Sequence, residues 1–431
     1  MIVCPLYGEN PGVVAWKSLV HVCRRWRNII FGSPRRLNLQ LICTPKTPAK
    51  DTLNAWPALP LLVWGNMTSS GTDNVIAALG QSNRVREAIL SNLAGRQLEE
   101  ILAAMQVPFP ELTDLWLSSN DEAPPVIPDS FLDGSASRLR IFELDGISFP
   151  GLPKLLLSAN HLVTLRLFYV PHSGYISPRA MVDLLSVLSS LKSLSLEFRS
   201  PQSRPDPETR RLHPLKRSIL PTLGGLYFKG VTEYLEELVT HIDTPQLDHM
   251  HITFFNQIDF DYPLLAQFIN RTPRLRARDE AHVQFNDGTA SVKLRYRTSK
   301  SCLDDLHMEI SCREPDWQVS SVAQLCNSSL HPLSTVEDLY IEHEYSRLVW
   351  KNEAIEITLW WEILLPFTAV KNLYLPKEFA QGIATALKEL VGARITEVLP
   401  SLKTIFVEGL QAEKWGGHQG ESGMLATASE K

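Results

Sequence analysis

The chain has 431 residues, 44% of them hydrophobic and 21% charged, with a formal net charge of −5. That balance allows an extended core but lacks the basic excess that attracts nucleic acid or an anionic membrane surface. No apolar run reaches the about 18 residues of a membrane-crossing helix, and Met1 to Gly12 has no basic stretch, so no secretory leader is expected.

The first predicted element is a helix over Ala15 to Gly32. Leu19, Val22, Cys23, Trp26, Ile29 and Ile30 recur at helical spacing, Lys17, Arg24, Arg25 and Arg27 take the polar side, and Gly32 and Pro34 end it. A basic helix is one signature of nucleic-acid or anionic-membrane binding. The apolar stripe and the acidic chain argue instead for burial against protein.

From Leu112 onward a Leu-x-x-Leu-x-Leu pattern recurs. It is sharpest at Leu112-Leu115-Leu117, and returns at Leu139, Leu162, Leu191 and Leu223. Looser copies start at Leu247, Leu303, Val336, Val370 and Leu402, and Leu275 halves the one long gap. Apart from that gap the steps are 23 to 34 residues, close to the about 20–29 of leucine-rich repeats. A unit this short must stack on its neighbours to bury its apolar face. The expected fold is therefore an α/β leucine-rich-repeat solenoid, a curved parallel sheet with outer helices. In the stretched repeat, Val283 and Phe285 are the expected inward strand residues.

Between strands come helical stripes. Ser177 and Pro178 suit the cap and first position of a helix carrying Met181, Leu184, Leu185 and Leu188. Further stripes are Leu235, Leu238, Val239 and Ile242, then Ile383, Leu387 and Leu390. Pro110, Pro221, Pro245, Pro273 and Pro400 each stand two residues before a motif residue and mark the return to strand. The Gly-rich tail from Gln411 reads as disordered.

Strand parity selects a surface. If Leu115 and Leu117 face the core, Trp116 faces out onto the concave sheet. The same parity exposes Glu143, Arg166, Ser195, Tyr227, His251, His307, Tyr340, Tyr374 and Phe406. Aromatic and Arg side chains fit a pleated strand, but they also dominate interface hot spots. Trp116, Arg166, Tyr227, His251, Tyr340, Tyr374 and Phe406 are therefore the candidate partner-binding face.

The helix string Val22-Cys23-Arg24-Arg25-Trp26-Arg27, with Leu19 before it and Ile30 after it, resembles the second half of an F-box. Combined with the repeats, the chain is similar to the F-box/leucine-rich-repeat proteins common in mushroom-forming fungi. The Leu-Pro-x-Glu-x-Leu string that opens that family's motif is absent from Met1 to Val14, so the resemblance is to an N-terminally incomplete F-box. It implies a non-catalytic substrate receptor of a cullin-RING (Skp-cullin-F-box) ubiquitin ligase, cytoplasmic or nuclear. Leu19, Val22, Cys23, Trp26 and Ile29 would face a Skp-family adaptor or pack on the first repeat, and the solenoid would hold a protein substrate of unknown identity. The alternative is an orphan scaffold without a ligase. The domains expected are 1–40, F-box-like; 41–410, solenoid; and 411–431, tail.

Motifs of defined chemistry are missing. There is no phosphate-binding glycine loop and no His-Glu-x-x-His. Ser148 lies near Gly146 and Gly151 without nucleophile-elbow spacing. Glu342 and Glu344 beside His343 read as solvated charges at a strand end. His249 and His251 alternate on one strand, but the sequence offers no third ligand. Cys4, Cys23, Cys43, Cys302, Cys312 and Cys326 lack paired zinc-site spacing and read as reduced thiols. No cofactor, metal or intrinsic catalysis is expected.

Overall fold

The computed structural model describes residues 20–33, 39–55, 58–67, 71–205, 217–255, 262–276, 278–297, 306–312, 315–327, 330–343, 357–389 and 398–408. Leu19, Leu303, Glu344, Leu390 and the tail from Gln411 lie outside them. The chain divides into two compact units, Met1–Ile176 and Ser177–Lys431, and the strands of the expected solenoid are shared between them.

The first unit carries β1 (Leu41–Cys43), β2 (Leu61–Asn66), β3 (Val85–Ser91), β4 (Asp114–Ser118), β5 (Ile141–Asp145) and β6 (Thr164–Val170). Each pairs in parallel with the next in chain order. Inward residues of the motif, such as Leu115, Leu117, Phe142, Leu144 and Leu165, are buried. In the described copies the first leucine is buried as well, half-buried at Leu402, and its N–H closes a turn on the carbonyl three residues earlier. Leu112 bonds Phe109 at 3.2 Å, Leu139 bonds Ala136 at 3.1 Å, Leu191 bonds Leu188 at 3.1 Å and Leu402 bonds Leu399 at 3.0 Å. The next residue then donates to the preceding repeat, as Thr113 does to Arg86 and Lys403 to Lys371, both at 2.8 Å. Turn, cross-repeat bond and three buried side chains together account for the Leu-x-x-Leu-x-Leu string.

The second unit carries β7 (Ser193–Phe198), β8 (Ser218–Ile219), β9 (Gly225–Gly230), β10 (Ile242–Asp243), β11 (His249–Phe254), β12 (Glu280–Asn286), β13 (Thr289–Arg295), β14 (Leu306–Ser311), β15 (Asp338–His343), β16 (Asn372–Pro376) and β17 (Thr404–Glu408). Its main sheet runs β7-β9-β11-β14-β13-β12-β15-β16-β17, while β8 and β10 form a separate parallel pair. Val283 and Phe285 are buried as expected. The stretched repeat is nonetheless not a single strand, and the sheet is not wholly parallel: β13 is antiparallel to both β12 and β14. Asp287-Gly288 makes the tight turn between Asn286 and Thr289, with Gly288 at φ 88°, the conformation hairpin loops demand of glycine.

Helices cover the buried face of this sheet. Pro315–Asn327 lies on β13 and β14, and Lys377–Glu389 lies on β16 and β17. In the helix Pro178–Val187 the Ala180 N–H donates to Ser177 Oγ at 3.3 Å, and Met181, Leu184 and Leu185 are buried. Replacing Ser177 with Ala is expected to cost about 1 kcal/mol, seen as a small drop in the thermal midpoint. Ile383 is buried, but Leu387 is only half-buried.

The N-terminal helix is shorter than its sequence pattern. It spans Arg24–Gly32, with Cys23 extended at φ −161°, ψ 167°. Val20 and Ile30 are both buried with Leu39 and Leu59. A continuous helix would hold these two residues, ten apart, about 15 Å from each other along its axis; the chain instead breaks at residues 21–23, and both reach one core. Arg27 holds the corner by donating from Nε to the Val20 carbonyl at 3.0 Å.

Candidate functional site

In the first unit, register places Ile89, Trp116, Glu143 and Arg166 side by side across β3 to β6. Trp116 and Arg166 are half-buried, as a partner-facing row requires, but Glu143 is buried. Arg166 covers it with an Nη1–Oε2 contact of 3.1 Å. Burial pushes the Glu143 carboxyl up despite that hydrogen bond, and burial also raises Asp145 two residues on. Trp116 Nε1 is buried with no acceptor among the described residues.

A carboxyl whose value rises on folding weakens the fold wherever it would ionise in the unfolded chain. Glu143→Gln is therefore expected to raise the thermal midpoint at neutral pH. The gain should vanish below the ordinary value of 4.5, where the carboxyl is protonated in both states. Melting curves across that range check it.

In the second unit a longer row crosses the main sheet: Ser195, Tyr227, His251, His307, Lys293, His282, Tyr340, Tyr374 and Phe406. The parity expected for Tyr227, His251, Tyr340 and Tyr374 holds, since each is half-buried between buried neighbours, whereas on β17 Phe406 and its neighbours Ile405 and Val407 are all half-buried. Ser195 departs from it: a small side chain opposite Tyr227 is covered and buried. Tyr340, Tyr374 and Phe406 stack nearly parallel, with ring centroids 4.2 and 4.5 Å apart. His282 extends the stack, 4.6 Å from Tyr340 at an interplanar angle of 7°.

The sequence reading missed His282. The period-2 alternation of Glu280, His282 and Gln284 with Ala281, Val283 and Phe285 was the signal that could have found it. Its Nε2 lies 2.6 Å from Glu280 Oε1 and its Nδ1 lies 3.0 Å from Glu342 Oε1. Both ring nitrogens of His282 are thus engaged by carboxylates. Glu342, read from sequence as a solvated charge, instead accepts from His282 and from Gln284 Nε2 at 2.8 Å. The His282 contact holds its carboxyl below the usual range. Burial, with Tyr374 and Glu280 adding to it, pushes the Tyr340 phenol up to about 12.

His249 and His251 do not form the metal pair that their alternation allows. His249 lies against Tyr227, with centroids 4.7 Å apart. His251 meets His307 on β14 instead, ring to ring at 4.3 Å. Glu309 follows on the same face of β14, its Oε2 3.8 Å from His251 Nε2. Burial, reinforced by His251, drops His307 to about 3, and the adjacent His251 holds Glu309 below the usual carboxylate range.

Of the N-terminal candidates, Val22, Trp26 and Ile29 are 65%, 49% and 56% exposed, and Cys23 is exposed too. Among the described residues it is Val20 and Ile30 that attach this segment to Leu39 and Leu59. Trp26 and Ile29, three apart on the helix, share one face. Ser148 is fully buried and shares a 2.5 Å hydrogen bond with Ser173 Oγ. Cys43, Cys312 and Cys326 are buried, and burial pushes the Cys326 thiol up to about 12.

Among the described residues no helix is long and apolar enough to cross a membrane. No protein-family model matches the chain, and no curated protein matches it. Among solved structures it is similar to the leucine-rich-repeat-containing protein LegL7 from Legionella pneumophila, at 13% identity and a TM-score of 0.31, over 86% of this chain and 90% of that one.

Proposed function

We propose that the chain is a non-catalytic protein-interaction receptor of the F-box/leucine-rich-repeat type found in mushroom-forming fungi. In this reading it docks on a Skp-family adaptor of a cullin-RING ubiquitin ligase, in the cytoplasm or nucleus, and presents a protein substrate on the outward face of its sheets. The observation that carries the adaptor assignment is the exposed apolar pair Trp26 and Ile29 within the Val-Cys-Arg-Arg-Trp-Arg string. Desolvating the exposed parts of these two side chains is worth on the order of 3–5 kcal/mol, enough for a docking hot spot. For the substrate face the support is the stacked row of Tyr340, Tyr374 and Phe406.

The test is retention of a purified Skp-family adaptor by the full chain and by Trp26→Ala/Ile29→Ala. The full chain should retain it, and the double variant, folded by circular dichroism, should lose at least about tenfold in affinity. No retention by the full chain would leave the orphan-scaffold reading, in which the sheet face binds its partner without a ligase.

A further inference from the structure

We propose that His251, His307 and Glu309 form a binding site for a zinc-class divalent ion on the outward face of the second unit. Parallel pairing of β11 with β14 sets His307 directly opposite His251, and places Glu309 opposite Thr253, on the same face. One donor atom from each of the three residues falls within a sphere of contacts no wider than 4.8 Å. Bond lengths of about 2.0–2.1 Å to imidazole nitrogen and carboxylate oxygen place tetrahedral donors about 3.4 Å apart, so small side-chain rotations bring the three into range.

The hydrogen-bond pattern points the same way. Nε2 of His251 and Nε2 of His307 are both screened from solvent and have no hydrogen-bond partner among the described residues. Buried polar atoms left unpaired are rare and call for a specific explanation; a cation between them would satisfy both. The 3.8 Å gap between His251 Nε2 and Glu309 Oε2 is too long for a hydrogen bond and wide enough to be bridged by an ion. Two imidazoles with one carboxylate form a donor set for zinc and its first-row neighbours, not for the all-oxygen preference of calcium or magnesium. Three protein ligands leave a fourth position for water.

Lys293, opposite His307, and Lys229, opposite Thr253, oppose a cation here. Glu309 supplies the compensating negative charge. The site is therefore expected to bind more weakly than a closed four-ligand centre. This inference is independent of the adaptor reading, because it is tested on the protein alone.

Chelator-treated full chain is titrated with Zn²⁺ by calorimetry, and with Co²⁺ by visible absorption as a second probe. One ion per chain should bind, with Co²⁺ giving the intense bands of a low-symmetry four-coordinate centre. His307→Gln and Glu309→Gln should each weaken binding at least about tenfold, while His282→Ala, a histidine of the same row with both nitrogens engaged, should leave it unchanged. A wild-type chain that binds neither ion overturns the proposal whatever the variants do. Binding that survives His307→Gln and Glu309→Gln, or falls equally in His282→Ala, overturns it as well.

Discussion

Leu373→Ala should destabilise the second unit by about 2–5 kcal/mol, whereas Tyr374→Ala, one residue later, should leave it folded and cost partner binding instead. Leu373 is completely buried on the inward face of β16, so truncation removes apolar contacts and leaves a cavity that the helix Lys377–Glu389 cannot readily fill. For a unit of this size each kcal/mol moves the thermal midpoint by about 2–4 °C, which predicts a drop of about 4–20 °C. Tyr374 loses two ring stacks, at 4.2 and 4.5 Å, worth about 0.5–1.5 kcal/mol each at most. Its half-exposed ring lies in the middle of the aromatic row, where a hot-spot truncation costs a partner at least about 2 kcal/mol, or thirtyfold. The two variants are compared by calorimetric melting and by affinity for a partner captured on the full chain. Leu339→Ala and Tyr340→Ala, the pair in register on β15, should repeat the split. Equal melting losses at both positions would mean that the inward and outward assignment of the strands is wrong.

That assignment was legible because period-2 burial is a property of the local chain: leucines two apart mark one strand, and the first leucine marks its entry turn. The parts that were not legible depend on packing. The hairpin β12–β13 hid inside a long repeat step, although Asp287-Gly288 between alternating Val283, Phe285 and Ala290, Val292 is a strong short-range turn signal. The helix pattern over Ala15 to Gly32 concealed a break, because Val20, outside the apolar stripe, packs with Ile30, Leu39 and Leu59, while Val22, Trp26 and Ile29 of the stripe are exposed. Outward parity did not expose Ser195 or Glu143, whose neighbours Tyr227 and Arg166 are large enough to cover them. Most of all, the grouping of His251 with His307 and Glu309 needed the register of two strands far apart in sequence. No spacing rule along the chain contains that information.

Gly146→Ala is expected to cost about 3–5 kcal/mol, and Gly288→Ala supplies its control. Both glycines have positive φ, 69° and 88°, so each alanine pays about 1–2 kcal/mol for a left-handed backbone. Around Gly288 nothing lies near an added methyl, and the cost stops there. At Gly146 the methyl would collide with the Ser119 carbonyl oxygen. That carbonyl is not free to retreat. Ser119 N–H donates to Asp145 O at 2.9 Å and Ser119 Oγ donates to Leu93 O at 2.8 Å. Gly146 itself is held from the other side by its N–H donating to Phe168 O at 2.9 Å. Three successive strand ends are thus pinned at one close approach, and the glycine beside Ser148 serves that approach rather than a reactive turn. Melting the two variants side by side isolates the steric cost from the backbone cost, with a gap of about 2 kcal/mol expected between them. If Gly146→Ala melts no lower than Gly288→Ala, β4, β5 and β6 do not end where this register places them.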